Sequence, residues 1–235
     1  MDNRRRMMMA SGISVSSILE ENDWETISKI ARSGKASKYW KIGDTKTITC
    51  NNNAMTVQII GFDHDDVTDI AAYGRSKAGI TFQTVECYPT TYKVANANAI
   101  TWKNSYARTD RMKYFLNGLG EIQNYIVPVN KLAASVGGGN TAIETVSDKL
   151  FFLSTIEVFG KASGRAEGYQ YAYYSAGNTK IKKANGSAAM WWHRTPAYSS
   201  DTPDFWNLTN ISGTGFEKRH ITGATIFYYT FAFCV

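Results

Sequence analysis

Ile226-Phe227-Tyr228-Tyr229-Thr230-Phe231-Ala232-Phe233-Cys234-Val235 closes the chain. In an extended strand, Phe227, Tyr229, Phe231, Phe233 and Val235 fall on one side, and Ile226, Tyr228, Thr230, Ala232 and Cys234 on the other. Both sides are largely apolar, so the segment predicts a strand covered on both faces at the centre of a sheet. It is about half as long as the roughly 20 residues a membrane-spanning helix needs, and no span is expected.

Further strands lie upstream. Ile48, Cys50, Met55, Val57 and Ile59 alternate around Asn51-Asn52-Asn53, the pattern of a hairpin with a polar turn. Gly79 to Cys87 alternates as another strand, and Lys149 to Gly160 reads as a β-rich apolar run from its Phe, Val and Ile content. Gly168 to Gly177 gathers Tyr169, Tyr171, Tyr173 and Tyr174, and Tyr125 to Leu132 reads as a strand or a short helix.

Two short helices are predicted. Asn22 and Glu25 have cap and third-residue spacing ahead of Trp24, Ile27, Ile30 and Ala31, and Gly34 stops that helix. The second has Thr109 as cap, Met112, Phe115 and Leu116 as its inner stripe, and Gly118 as stop. Together these elements predict an α+β fold: a single domain over residues 23–235 with a mostly antiparallel sheet, preceded by an extended arm over residues 1–22.

Composition narrows the function. The 235 residues are 43% apolar, enough for one sizeable core, and 13% aromatic, with 14 Tyr and 6 Trp. That balance suits a β-rich recognition domain better than a helical bundle. The net charge of +6 is a mild surplus and predicts no nucleic-acid partner. Cys50, Cys87 and Cys234 are odd in number and widely spaced, so free buried thiols are expected rather than a disulfide framework.

The arm opens with Arg4, Arg5 and Arg6, then Met7, Met8 and Met9. Its apolar run is too short for a signal peptide. It reads either as a loose tail or as a docking segment, in which charge sets orientation and flexible thioethers fill an uneven groove.

Three groups of residues carry candidate chemistry. Between Pro196 and Gly223, Tyr198, Phe205, Trp206, Asn207 and Arg219 stand among Ser, Thr and Gly, a paratope-like mixture of rigid aromatic area and adaptable polar groups. In the acidic loop, Asp63, Asp65 and Asp69 read as oxygen ligands for a hard cation such as calcium or, as the failed EF-hand spacing favours, as a self-capping turn. His64, His193 and His220 lack a nucleophile elbow, zinc helix or phosphate loop, so no enzyme is expected.

Ala189-Met190-Trp191-Trp192-His193-Arg194-Thr195-Pro196, the preceding Tyr171-Ala172-Tyr173-Tyr174, the Ile59-to-Asp66 run and the closing Phe231-to-Val235 strand occur in this order. Over roughly residues 24–235 they resemble a largely uncharacterised domain family of Gram-positive bacteria and their phages, typified by a Trp-Trp-Leu-Arg-Ser-Pro motif. His193 and Thr195 depart from that motif, and Ala232 from the family's closing Gly-Phe pattern. The resemblance implies a C-type-lectin-like domain whose ligand contacts lie between Trp191 and Arg219, which adds Trp192, His193 and Arg194 to the binding residues. The arm is similar to the start of small phage structural proteins. A virion component is therefore expected, made in the bacterial cytoplasm and fastened to other virion proteins by Arg4 to Met9. It would be a homo-oligomer that presents the domain to a host-surface glycan or protein, with no membrane contact. A purely architectural decoration protein is the alternative, and a cell-wall hydrolase the third reading.

Overall fold

The last seven residues, Tyr229 to Val235, are all buried, and the tail from Phe227 to Cys234 gives a short strand to each of two sheets rather than forming one straight strand. The computed structural model describes residues 8–10, 13–97, 100–135, 142–161, 166–197, 205–220 and 226–235. In chain order the elements begin with β1 (Met8–Ala10), β2 (Ile13–Val15), α1 (Trp24–Arg32), α2 (Ala36–Tyr39), β3 (Thr45–Cys50), β4 (Asn53–Phe62) and α3 (Ile70–Tyr73). There follow β5 (Ile80–Thr84), β6 (Thr91–Tyr92), α4 (Met112–Gly118), β7 (Val129–Ala134), β8 (Ile143–Asp148), β9 (Leu150–Phe151) and α5 (Thr155–Phe159). The chain then runs through α6 (Ala172–Ser175), β10 (Lys182–Ala184), β11 (Ser187–Ala189) and β12 (Trp191–Pro196). It ends with β13 (Phe205–Thr209), β14 (Phe216–His220), β15 (Phe227–Tyr228) and β16 (Ala232–Cys234).

The architecture is α+β, with short helices and mostly antiparallel sheets. One five-stranded sheet runs β3-β4-β5-β16-β9 and a second runs β14-β13-β12-β15-β6. Among the described strand pairs only β12 with β15 is parallel. The tail was expected to be central, and it is: β16 lies between β5 and β9, and β15 between β12 and β6. Its rings knit the layers together, with Phe233 5.5 Å from Phe82, Phe231 stacked 5.4 Å from Phe115, and Tyr229 4.7 Å from Phe152.

The first hairpin turns at Asn51 (φ 48°) and Asn52 (φ 61°), and Cys50 pairs with Asn53. Two consecutive positive φ values make the mirror-image turn that matches strand twist, and asparagine tolerates them. Helix α1 presents Trp24, Ile27, Ile30 and Ala31 to the core as the spacing predicts. Its cap is Asp23, which accepts from the Thr26 N–H at 2.7 Å, and not Asn22. The Asn22 amide is occupied elsewhere, donating to Ser16 O and Ile18 O.

That use of Asn22 moves the domain boundary. Val15 and Leu19 are buried, the Trp40 indole donates to Ser16 O, and Lys46 donates to Glu20 O and Asn22 O. Residues 15–22 thus belong to the folded body, and the arm lies before them. Met8 and Met9 pair through β1 with β2; Arg4, Arg5, Arg6 and Met7 lie outside the described residues.

Among the described residues there are six α-helical segments rather than two. The second predicted helix starts earlier than expected, because Ser105 rather than Thr109 accepts the free Arg108 N–H at 3.1 Å, and a π-helical turn over Ala107–Arg111 precedes α4. The apolar run from Lys149 is strand only at Leu150–Phe151. Ser154 and Glu157 then form a reciprocal capping box and Gly160 (φ 67°) closes α5, so capping overrides the β preference of Ile156 and Val158. All three cysteines are buried free thiols. No helix among the described residues is long and apolar enough to cross a membrane.

Gly79, just before β5, packs directly against α1, since a Cβ there would sit 2.2 Å from Ala31 O. Backbone, not a yielding side chain, stands in the way. Gly79→Ala should cost about 3 kcal/mol or more, read as a lower urea midpoint at unchanged m-value.

Candidate functional site: a buried charge lattice and its cavity

Strand β12 is buried along its whole length. Trp191 donates to Lys180 O, Trp192 to Tyr92 O, and His193 Nε2 lies 2.7 Å from Thr209 Oγ1. Arg194, fully buried, uses all five of its N–H donors. Two go to Glu157 as a fork, Nη1 to Oε2 at 2.6 Å and Nη2 to Oε1 at 2.8 Å. The others go to the carbonyl oxygens of Leu132, Phe152 and Glu167.

Glu157 also holds Lys131, whose Nζ lies 2.7 Å from Oε1. The same nitrogen donates to Asp65 Oδ1 at 2.5 Å and to the Tyr171 hydroxyl at 3.1 Å, and sits 4.3 Å above the Phe151 ring. Asp65 in turn accepts from Thr81 Oγ1 at 2.6 Å and from Tyr171 at 2.9 Å. The Cys234 thiol lies 3.4 Å from Asp65 Oδ2. Glu167 takes the Ala134 N–H on Oε1.

Burial alone would raise both carboxyls, but Lys131 holds Asp65, and Arg194 with Lys131 holds Glu157, below the ordinary carboxylate range. Burial opposes the Lys131 charge, yet the two carboxylates beside it push its pKa up. Glu167 shifts the other way, because burial outweighs Arg194. His193 is pushed down to about 3 by burial and is a neutral ring at any ordinary pH.

A cavity of about 90 Å³ opens beside this lattice, lined by Asp65, Asn130, Lys131, Glu157, Glu167 and Tyr169 among others. At this wall the His64 ring is stacked 3.8 Å from Tyr171 and 4.1 Å from Tyr169, and burial lowers its pKa. Tyr169 is half exposed.

A family model described as "Domain of unknown function (DUF6273)" matches residues 77–223. The chain belongs to this family. No curated protein and no solved structure matches it. The DUF6273 segment contains Lys131, Glu157, Glu167, Tyr171 and Arg194, while Asp65 and Cys234 reach the lattice from either side of it.

The binding residues expected from the sequence are placed differently from that expectation. Trp192, His193, Arg194, Trp206 and Asn207 are buried in the monomer and present no exposed rim; the sheet needs their bulk and the lattice needs Arg194. Arg219 is on edge strand β14, partly exposed and paired with Glu217 at 2.6 Å. Phe205 lies on β13, and Tyr198 lies outside the described residues. The acidic loop is divided among three tasks. Asp63 pairs with Arg75 at 2.8 Å, Asp69 caps α3 at Ala72 N, and Asp65 belongs to the lattice. The candidate metal set therefore does not converge, and among the described residues no three His, Cys, Asp or Glu side chains form a metal-ligand group. Sequence reasoning missed Lys131, Glu157 and Glu167; the Ser154-x-x-Glu157 spacing and a lysine within an apolar run were the available signals.

Arg194→Met should break the fork, leave Asp65 and Glu157 to share Lys131 as one counter-ion in a dry site, and cost about 3–5 kcal/mol, measured by urea unfolding. The lattice also sets a pH limit. A histidine held neutral in the folded state binds its proton only on unfolding, so stability is full above about pH 6.5 and falls towards pH 3. His193→Gln should flatten the acid limb of a stability-against-pH curve between those values by up to about 1.4 kcal/mol per pH unit, leaving the contributions of His64 and the carboxylates.

Proposed function

We propose that this DUF6273 protein is a phage virion component that acts by binding, not turnover. Its domain, of C-type-lectin-like kind, meets a glycan or protein of the host surface, and the residues before Val15 fasten it to the particle. The β13–β14 hairpin is the observation that carries this reading. Its base is rooted by Trp206 and Leu208, both fully buried, and Asn207 donates to the carbonyl oxygens of Thr195 and Pro196. Its turn is exposed but ordered from within: Asn210 Oδ1 accepts from the N–H groups of Thr214 and Gly215, and Gly213 N–H donates to Asn210 O. Ile211 stands at the tip, 56% exposed. An apolar tip on a loop that loses little freedom on binding suits recognition.

Support for binding over turnover of an external substrate comes from the lattice, where Asp65, Glu157, Lys131 and Arg194 are paired with one another. The virion assignment is supported by the basic and methionine-rich opening of the chain.

The test is retention of the purified full chain on Gram-positive cell envelopes. Ile211→Ala and Arg219→Ala should each weaken retention about tenfold, near 1.4 kcal/mol, at unchanged melting temperature. Trp206→Ala should instead lower the melting temperature by removing buried core. A wild-type chain that envelopes do not retain would overturn the recognition role and leave the architectural one.

A further inference from the structure

We propose that Lys131 and Asp65 become joined by an intramolecular amide bond, with Glu157 moving the proton that the condensation releases. The inference is independent of what the domain recognises. It begins from a geometry that a simple ion pair does not require. Lys131 Nζ has a carboxylate on each side, Asp65 Oδ1 at 2.5 Å and Glu157 Oε1 at 2.7 Å, and all three side chains are at most 3% exposed. An amine, an acyl carbon and a base are thereby held together in a water-poor site, the arrangement in which proximity is most effective.

The remaining partners of Asp65 fit the same step. Thr81 Oγ1 donates to Oδ2 at 2.6 Å, and the Tyr171 hydroxyl lies 2.9 Å from both Oδ1 and Oδ2. Thr81, joined by Tyr171 when its single hydroxyl proton turns to Oδ2, can hold the oxyanion of a tetrahedral intermediate. Arg194 forks onto Glu157 and keeps it an acceptor for the Lys131 proton.

The reaction balances. The ion pair is the resting state, and the reactive form is its minor tautomer, in which one proton has crossed the 2.5 Å hydrogen bond from the Lys131 ammonium to Asp65 Oδ1 and left an amine and a neutral acid. The nitrogen attacks Asp65 Cγ and the electron pair moves onto Oδ2, facing Thr81 and Tyr171. Glu157 takes a second proton from the nitrogen and returns it to Oδ1, whose bond to Cγ breaks. One water leaves, and no oxidant or reductant is consumed. The adjoining cavity is lined by Asp65, Lys131 and Glu157 and gives that water an exit. One positive and one negative charge disappear together, so Arg194 and Glu157 remain balanced.

The bond would tie residues 66 apart in the chain. Intact-mass measurement of the full chain, followed by proteolytic mapping, tests it. The expected result is a chain lighter by one water molecule and a branched peptide joining the Lys131 and Asp65 fragments, with faster migration of the denatured chain on a gel. Glu157→Gln should restore the full mass. A folded wild-type chain of full mass, with both fragments recovered separately, overturns the proposal. Branched peptide at the wild-type level in Glu157→Gln overturns the role given to Glu157.

Discussion

The fork between Arg194 and Glu157 is the interaction on which the rest of the molecule depends. Taking a guanidinium and a carboxylate out of water costs several kcal/mol per ion, and the cost is recovered only when geometry is good and every other donor is satisfied. Both conditions hold here, since Arg194 spends its remaining donors on the carbonyl oxygens of Leu132, Phe152 and Glu167. Those oxygens belong to β7, the approach to α5, and the approach to α6. One side chain on β12 therefore fixes the positions of three chain segments distant in sequence. Hydrophobic contact alone would permit these segments to slide; directional bonds to named oxygens do not.

From that anchor the architecture follows outward. Lys131 carries the fork to Asp65, and Asp65 reaches Thr81 on β5 and the thiol of Cys234 on β16. The lattice thus links the sheet containing the tail to the sheet containing β12. The tail makes the same link in apolar terms, with β15 in one sheet and β16 in the other. Because β12 is held on its inner side, β13 and β14 can extend from it as a rooted hairpin whose turn keeps its shape in solvent. A rigid base makes a short exposed loop an effective recognition element, for little ordering remains to be done when a partner arrives.

Much of the fold was legible in the order of residues, and the reasons are local. The Asn51-Asn52 turn, the inward face of α1 and the two-sided burial of the tail each depend on spacing within a few positions. The errors are also physical. Asn22 looks like a cap, but its amide is drawn back to Ser16 and Ile18, a contact no periodicity shows. The run after Lys149 has strand-forming residues, yet Ser154 and Glu157 bond each other and start a helix. The candidate site was least legible. Trp192, His193 and Arg194 have the residue types of a binding surface, and only the third dimension shows that β12 is covered on both sides. Lys131 and Asp65 lie far apart in the chain, so their meeting is a property of topology.

The charge count of the lattice explains its one discordant member. Asp65 and Glu157 are matched by Lys131 and Arg194, two against two, which leaves Glu167 as a fifth ionisable group in the same dry region. A fifth charge would have no counter-ion, whereas a neutral acid needs only hydrogen bonds. Burial pushes the Glu167 carboxyl in that direction, and Ala134 N–H serves one oxygen whichever form is present. A neutral Glu167 leaves the four paired charges balanced, and its burial drives the carboxyl towards that form. Two carboxylates and two cations then cancel within one dry region, which is why a domain of modest size can bury them behind its sheets.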